Sequence, residues 1–275
     1  MKTQSQKRLL WTVVLFVFLF NAAGWLGWSV AKSEDSQEAK DLGNLIWLVS
    51  PLLLSLLMRL INKDWHDLGL KPNFRGNGKW YLFSLGVFPL ILSIILLIGW
   101  VFKGVIFTDF TPGLFVQLVS VGFFPTLFKN IFEEFTWRGY LTPKVNELVR
   151  KSWLGHLIVG FIWGTWHIPY YLGLLDRTVL SSYTTLAMTT FLPLVILGIT
   201  IAGILFGELR LITGSTIPVL LMHTMSNVLI VTLLVEGFVE LKPETAFLFT
   251  PSWEGFLTMI FIGWLGLWLV RRQNK

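Results

Sequence analysis

The chain has 275 residues, of which 54% are hydrophobic, 15% aromatic and only 14% charged, with a formal net charge of +6 and no cysteine. Soluble domains carry about 25% charged residues, so this composition excludes an ordinary soluble fold and points to a polytopic membrane protein. The absence of thiols excludes disulfides, cysteine nucleophiles and cysteine-based metal sites.

Runs of roughly 17 to 25 apolar residues, the length a helix needs to cross about 30 Å of hydrocarbon, recur along the chain. They lie near residues 9–30, 42–61, 80–102, 113–137, 153–175, 186–207, 214–235 and 252–270. The first, following MKTQSQKR, is longer than the roughly 7 to 15 apolar residues of a signal peptide and is read as a retained helix. None of the runs alternates with period 2, as a membrane β-barrel would require. The expectation is an all-α polytopic bundle of about eight transmembrane helices, forming a single membrane domain over residues 1–275.

Loop charge orients it. With the N-terminus cytoplasmic, Lys2, Lys7, Arg8, Arg59, Lys63, Lys71, Arg75, Lys79, Arg138, Lys144, Arg150, Lys151, Arg210, Arg271, Arg272 and Lys275 fall on one side, while only Lys32, Lys40, Lys103, Arg177 and Lys242, beside Glu34, Asp35, Glu38, Asp41, Glu236, Glu240, Glu244 and Glu254, fall on the other. The positive-inside rule then makes both termini cytoplasmic. The excess charge reports topology and attraction to anionic lipid, so the partner it implies is the bilayer and not nucleic acid. The largest loop, near residues 62–79, is basic and Gly/Pro-punctuated, and its His66 reads as a solvated surface residue. Most Trp and Phe read as lipid-facing or interfacial belts.

Against this apolar background, IFEEFTWRGY at 131–140 places Glu133, Glu134 and Arg138 in the fourth run, where charge is costly and usually functional. Glu134 and Arg138 stand i, i+4, acid before base, the favourable order for an ion pair. Glu133 lies one position off that face and is free for chemistry. The bland alternative is that all three mark the interfacial end of a helix. Lys129 also falls within this run.

In the fifth run, GFIWGTWHIPYY puts His167 one turn after Trp163, followed by Pro169. Gly160 and Gly164 form a small-xxx-small pair that lets a neighbouring helix approach. His167 alone could be a simple interhelical hydrogen bond, and His156 at the start of this run reads as interfacial. In the seventh run His223 and Asn227 share a face at i, i+4, as a structural clamp or as two convergent polar groups.

A carboxylate with a histidine can position and deprotonate a water, and a histidine with an amide can stabilise an oxyanion. Those are the parts for hydrolysing an amide bond. There is no G-x-S-x-G elbow and no cysteine for a covalent route, and the H-E-x-x-H zinc signature is missing. A divalent ion such as zinc, held by Glu133, His167 and His223, stays open, although the favoured chemistry needs no cofactor.

E-E-x-x-x-R, an aromatic-x-x-x-H and H-x-x-x-N, in this order and at these depths, resemble the CPBP family of CAAX-protease and bacteriocin-processing (Abi) intramembrane endopeptidases. The resemblance implies a catalytic core over residues 113–235, with Glu133 and His167 activating a water and His223 and Asn227 binding the oxyanion. Glu134, Arg138 and Trp163 would support them, Trp163 standing where the family usually has Phe. It also implies a multi-pass protein, expected in a bacterial plasma membrane, acting on a peptide or lipidated peptide by a glutamate-dependent or metal-dependent route. Two alternatives from other classes are a catalytically silent scaffold or immunity protein binding a peptide in the same cavity, and a transporter with a proton relay, for which no inverted repeat is evident. Counting residues at 1.5 Å rise along each run places Glu133 near the cytoplasmic end of its span and His223 within about 15 Å of that face. A site opening to the cytoplasmic leaflet is therefore expected.

Overall fold

The computed structural model describes residues 4–108 and 110–273; Lys2 and Lys275 of the charge pattern lie outside them. In chain order the helices are α1 (Gln4–Ala31), α2 (Gln37–Asn62), α3 (Gly78–Val101), α4 (Pro112–Thr136), α5 (Thr142–Leu148), α6 (Ser152–Trp166), α7 (Arg177–Tyr183), α8 (Met188–Thr213), α9 (Ile217–Ile230), α10 (Ala246–Phe249) and α11 (Phe256–Gln273). Their ends carry local signals. Ser36 caps α2 by accepting from the Ala39 amide at 3.1 Å, and Gly214 ends α8 at φ 62°, a left-handed angle glycine adopts without a Cβ clash.

Six helical runs are long and apolar enough to cross a bilayer: α1, α2, α3, the continuous Pro112–Leu148 run, α8 and Ile217–Val235. The protein is an integral membrane protein built as an all-α polytopic bundle. The two remaining predicted runs coincide with α6, which has 15 residues, and α11, which ends in Arg271, Arg272 and Gln273. Exposed Trp11, Phe18, Leu82, Leu90 and Trp100 cover the outer faces of α1 and α3, a surface suited to lipid.

Inside the bundle α1 packs on α2, α6 on α8, α8 on α11, and α9 between α3 and α4. Gly160 and Gly164 do admit a neighbour: a Cβ on Gly160 would lie 2.5 Å from the Thr200 carbonyl oxygen of α8. Gly203 answers from α8, its Cβ position 2.6 Å from the His156 carbonyl oxygen. Backbones this close leave no room for side chains.

Two expectations change here. His156 is buried, not interfacial, with Nε2 2.8 Å from the equally buried Glu208 carboxylate. The eighth span begins only at Phe256, because residues 250–255 form a loop that turns into the bundle. Two short strands, β1 (Val105–Phe107) and β2 (Val239–Leu241), pair antiparallel and clasp the loops on the side opposite the described termini.

Candidate active site

Three elements bring the motif residues together. α4 carries Glu133 and Glu134, the C-cap of α6 carries His167, and α9 carries His223 and Asn227. All but Glu134 line one cavity of about 230 Å³, together with Trp163. Each of the three elements runs into a π-helical turn a few residues beyond Glu134, His167 and Asn227: Trp137–Leu141, which holds Arg138, Tyr170–Leu174 and Val231–Val235. Such turns widen the helix and are frequent at functional sites.

Glu133 is buried, and its two oxygens differ. Oε2 accepts from the Trp163 indole Nε1 at 3.0 Å and lies 4.0 Å from His167 Nε2. Oε1 makes no hydrogen bond among the described residues. The Lys129 ammonium stands 3.1 Å from it, an ion pair by distance that lacks hydrogen-bond alignment. His167 Nδ1 lies 2.9 Å from the Trp163 carbonyl oxygen, which can only accept. Nδ1 therefore carries a proton, and neutral His167 presents a lone pair at Nε2 beside Glu133.

Glu134 is paired as its spacing predicts. Its Oε1 takes Arg138 at 2.9 Å and also His223 Nδ1 at 2.7 Å. The Arg138 guanidinium sits 4.2 Å over the Trp163 ring and 4.7 Å over Phe206, a fully buried cation stacked on two aromatics. Because ionised Glu134 can only accept, His223 Nδ1 donates to it. A neutral His223 then shows a lone pair, not an N–H, at Nε2, so donating to an oxyanion requires the imidazolium. Asn227 Nδ2 donates to Asn130 Oδ1 at 3.2 Å, leaving its second amide hydrogen available.

Below this layer the site is sealed. Arg210 Nε donates to the Arg138 carbonyl at 3.2 Å, and the Arg59 guanidinium donates to the Gly139 carbonyl. Asp67 ties these cations to the loop between α2 and α3, pairing with Arg59 at 2.7 Å and Lys144 at 3.0 Å, and Lys144 also pairs with Asp64. Burial pushes the Asp67 carboxyl up, but hydrogen bonds from Lys144 and Arg59 and their charges outweigh it and hold it below its usual 3.8. His66 is solvated as expected, with Asp64 at 2.7 Å.

The cavity opens the other way. Beyond the motif residues its lining includes Leu175, Tyr183 and Val231, on the side of the bundle opposite the described termini, while Ser252 and Trp253 come from the loop that turns into the bundle. The expected opening toward the termini fails because the fourth helical run does not stop at residue 137. It continues to Leu148, so Glu133 lies within a 37-residue run with the Arg138 layer beneath it. The expectation of lipid-facing Trp is also corrected in part. Trp47, Trp137, Trp163 and Trp166 are buried, and Trp47 stacks on Trp166 at 3.9 Å between ring centres, walling the cavity beside His167.

Several contributors escaped the sequence reading. Lys129 precedes Glu133 by four residues, the same spacing that identified the Glu134–Arg138 pair, and could have been found by applying the rule toward the N-terminus. Asn130, likewise four before Glu134, was a polar residue in an apolar run. Trp47, Ser252 and Trp253 come from distant segments and carried no local signal.

A family model described as Rce1-like, type II CAAX prenyl endopeptidase, matches residues 115–229. Over that segment the chain is similar to the CAAX-protease family. The CAAX-protease match runs from α4 through α9 and so contains every motif residue above. Nothing among curated proteins matches the chain.

A metal-dependent route would need Glu133, His167 and His223 to converge on one ion. Glu133, His167 and His223 are not among the groups whose ligand atoms lie within 4.8 Å of one another; among the described residues Asp64, His66 and Asp67 form such a group, and Arg59 and Lys144 already neutralise its acids. His223 Nδ1 is held by Glu134, and the Lys129 ammonium already stands 3.1 Å from Glu133 Oε1. This arrangement does not fit a metal at the motif residues.

Proposed function

We propose that the protein is an intramembrane endopeptidase that hydrolyses a membrane-associated or lipidated peptide with an activated water. What carries the reading is the convergence of Glu133, His167, His223 and Asn227 on one cavity, with Glu133 Oε1 unbonded and His167 Nε2 bare. Water bridges these two acceptors. Glu133 takes its proton as the hydroxide adds to the scissile carbonyl carbon. The resulting oxyanion is received by the Asn227 amide and by the His223 imidazolium, whose charge Glu134 supports from the far ring nitrogen. Collapse breaks the C–N bond, the proton on Glu133 passes to the leaving nitrogen, and an acid and an amine depart. The protein is proposed to reside as a multi-pass protein in a bacterial plasma membrane with both ends of the chain on the cytoplasmic side.

The test is peptide cleavage in proteoliposomes. Glu133→Gln keeps the shape and the Trp163 contact but removes the base, and kcat/KM is expected to fall at least about 100-fold. Glu134→Gln is expected to lose activity through His223 while keeping water activation. Full cleavage by folded Glu133→Gln protein would sink the mechanism, and activity lost on chelation and restored by a divalent metal would replace it with a metal route. The Lys129–Glu133 ion pair favours one alternative, a cavity that binds a peptide without cutting it. Such a protein would keep its binding in the Glu133→Gln variant.

A further inference from the structure

The side on which the cavity opens and the side on which the basic loops lie are independent observations, and they point in opposite directions. The cavity runs from Glu133 past Lys129 and Thr126 toward the loops that hold Leu175 and Tyr183. Those loops are on the same side as the β1–β2 clasp and as the acidic residues Glu34, Asp35, Glu236, Glu240 and Glu244. The other side carries Arg8, Lys63, Lys71, Arg75, Lys79, Arg150, Lys151, Arg271 and Arg272, together with the Arg59, Arg138, Lys144 and Arg210 layer that closes the cavity floor. Loops rich in Lys and Arg stay in the cytoplasm. Water and peptide cannot come through a floor made of buried Trp137, Tyr140 and Leu141.

We infer that the site is reached from the extracytoplasmic side, so that its substrate is a peptide that enters from the outer face: an exported or outward-inserted segment, not a chain end held in the cytoplasm. This rests on the peptidase reading for the word substrate, while the direction of opening stands on geometry and charge alone. The lining suits such a segment. Trp47, Tyr170, Tyr171 and Phe191 offer aromatic surface to apolar side chains, and the Lys129 side chain, 40% exposed, offers a cation to an anionic group entering from that side.

The chain has no cysteine, so single-cysteine variants of the full-length protein report accessibility directly. Thr126→Cys lines the cavity one turn before Lys129, Ser182→Cys is exposed beside it on α7, and Lys71→Cys is exposed on the basic loop. In intact cells a membrane-impermeant maleimide is expected to label Thr126→Cys and Ser182→Cys, and to label Lys71→Cys only after permeabilisation. Labelling of Thr126→Cys only after permeabilisation, or not at all while Ser182→Cys reacts, overturns the inference. So does labelling of Lys71→Cys in intact cells. The readout needs no catalysis, so a protein that opens outward yet cuts no peptide would count against the peptidase reading and leave the direction of opening in place.

Discussion

At the residue scale, the site turns on which atoms are already engaged. Trp163 does three things at once: its N–H holds Glu133 Oε2, its face covers Arg138, and its edge meets the His223 ring 5.3 Å away. A phenylalanine could supply the last two and not the first. Trp163→Phe is therefore expected to leave the fold intact and lower kcat/KM about tenfold, the worth of one hydrogen bond to a charged group. Steady-state kinetics on the folded variant check this, with the loss falling on kcat because the bond orients the base and touches no substrate. The Glu134–Arg138 pair was legible from spacing alone, since i, i+4 geometry is local. That His223 shares the same carboxylate oxygen was not, because α9 meets α4 only through the tertiary fold.

At the element scale, the α6–α8 crossing sets the position of His167. Two facing glycines allow the contact, and the space is already full: a Cβ on Gly203 would meet the His156 carbonyl oxygen at 2.6 Å and the Gly160 Cα at 2.8 Å, all backbone atoms that cannot swing away. Gly203→Ala is expected to destabilise by about 1–3 kcal/mol and lower the midpoint of thermal unfolding in detergent. Gly86 on α3 is the contrast, since a Cβ there meets nothing within 4 Å. Gly86→Ala is expected to raise the midpoint slightly, by removing the roughly 0.5–1 kcal/mol penalty of glycine in a helix. Equal shifts in the two variants would contradict this account of the crossing. The small-xxx-small pair in the sequence announced a close neighbour, but not that the neighbour would be α8. The three π-helical turns had no sequence signal, since they arise where a helix must keep its hydrogen bonds while redirecting side chains into a shared cavity.

At the scale of the whole molecule, the loop between α2 and α3 serves as a staple and not merely as a solvated connector. Asp67 joins Arg59, Lys144 and, through its carbonyl oxygen, Arg210 at 2.7 Å. Its carboxyl is held below its usual 3.8, so the stability it contributes is present above that value and is lost as pH falls through the still lower folded one. Thermal unfolding followed from pH 7 downward is expected to show this loss in the wild type. Asp67→Asn should be less stable by roughly 3 kcal/mol at pH 7, because Arg59 and Lys144 lose a shared carboxylate, and should show a shallower acid loss. An unchanged pH profile in the variant would remove Asp67 from this role. The same layer closes the cavity floor, which is why the fold and the direction of substrate entry are linked.

Composition and local spacing were enough to establish an apolar, helical, membrane-spanning chain, the approximate positions of its runs, and the polar residues that share one cavity. These are one-dimensional properties: bilayer thickness sets helix length, and the helical period sets which residues share a face. Tertiary structure decided what depends on elements far apart in the chain. It determined that Lys129 and Trp163 divide the two oxygens of Glu133, that His156 is buried against Glu208, that a loop before α11 walls the site, and that the cavity faces away from the termini. Those outcomes follow from how helices cross and where a run truly ends, and neither is encoded within a single span.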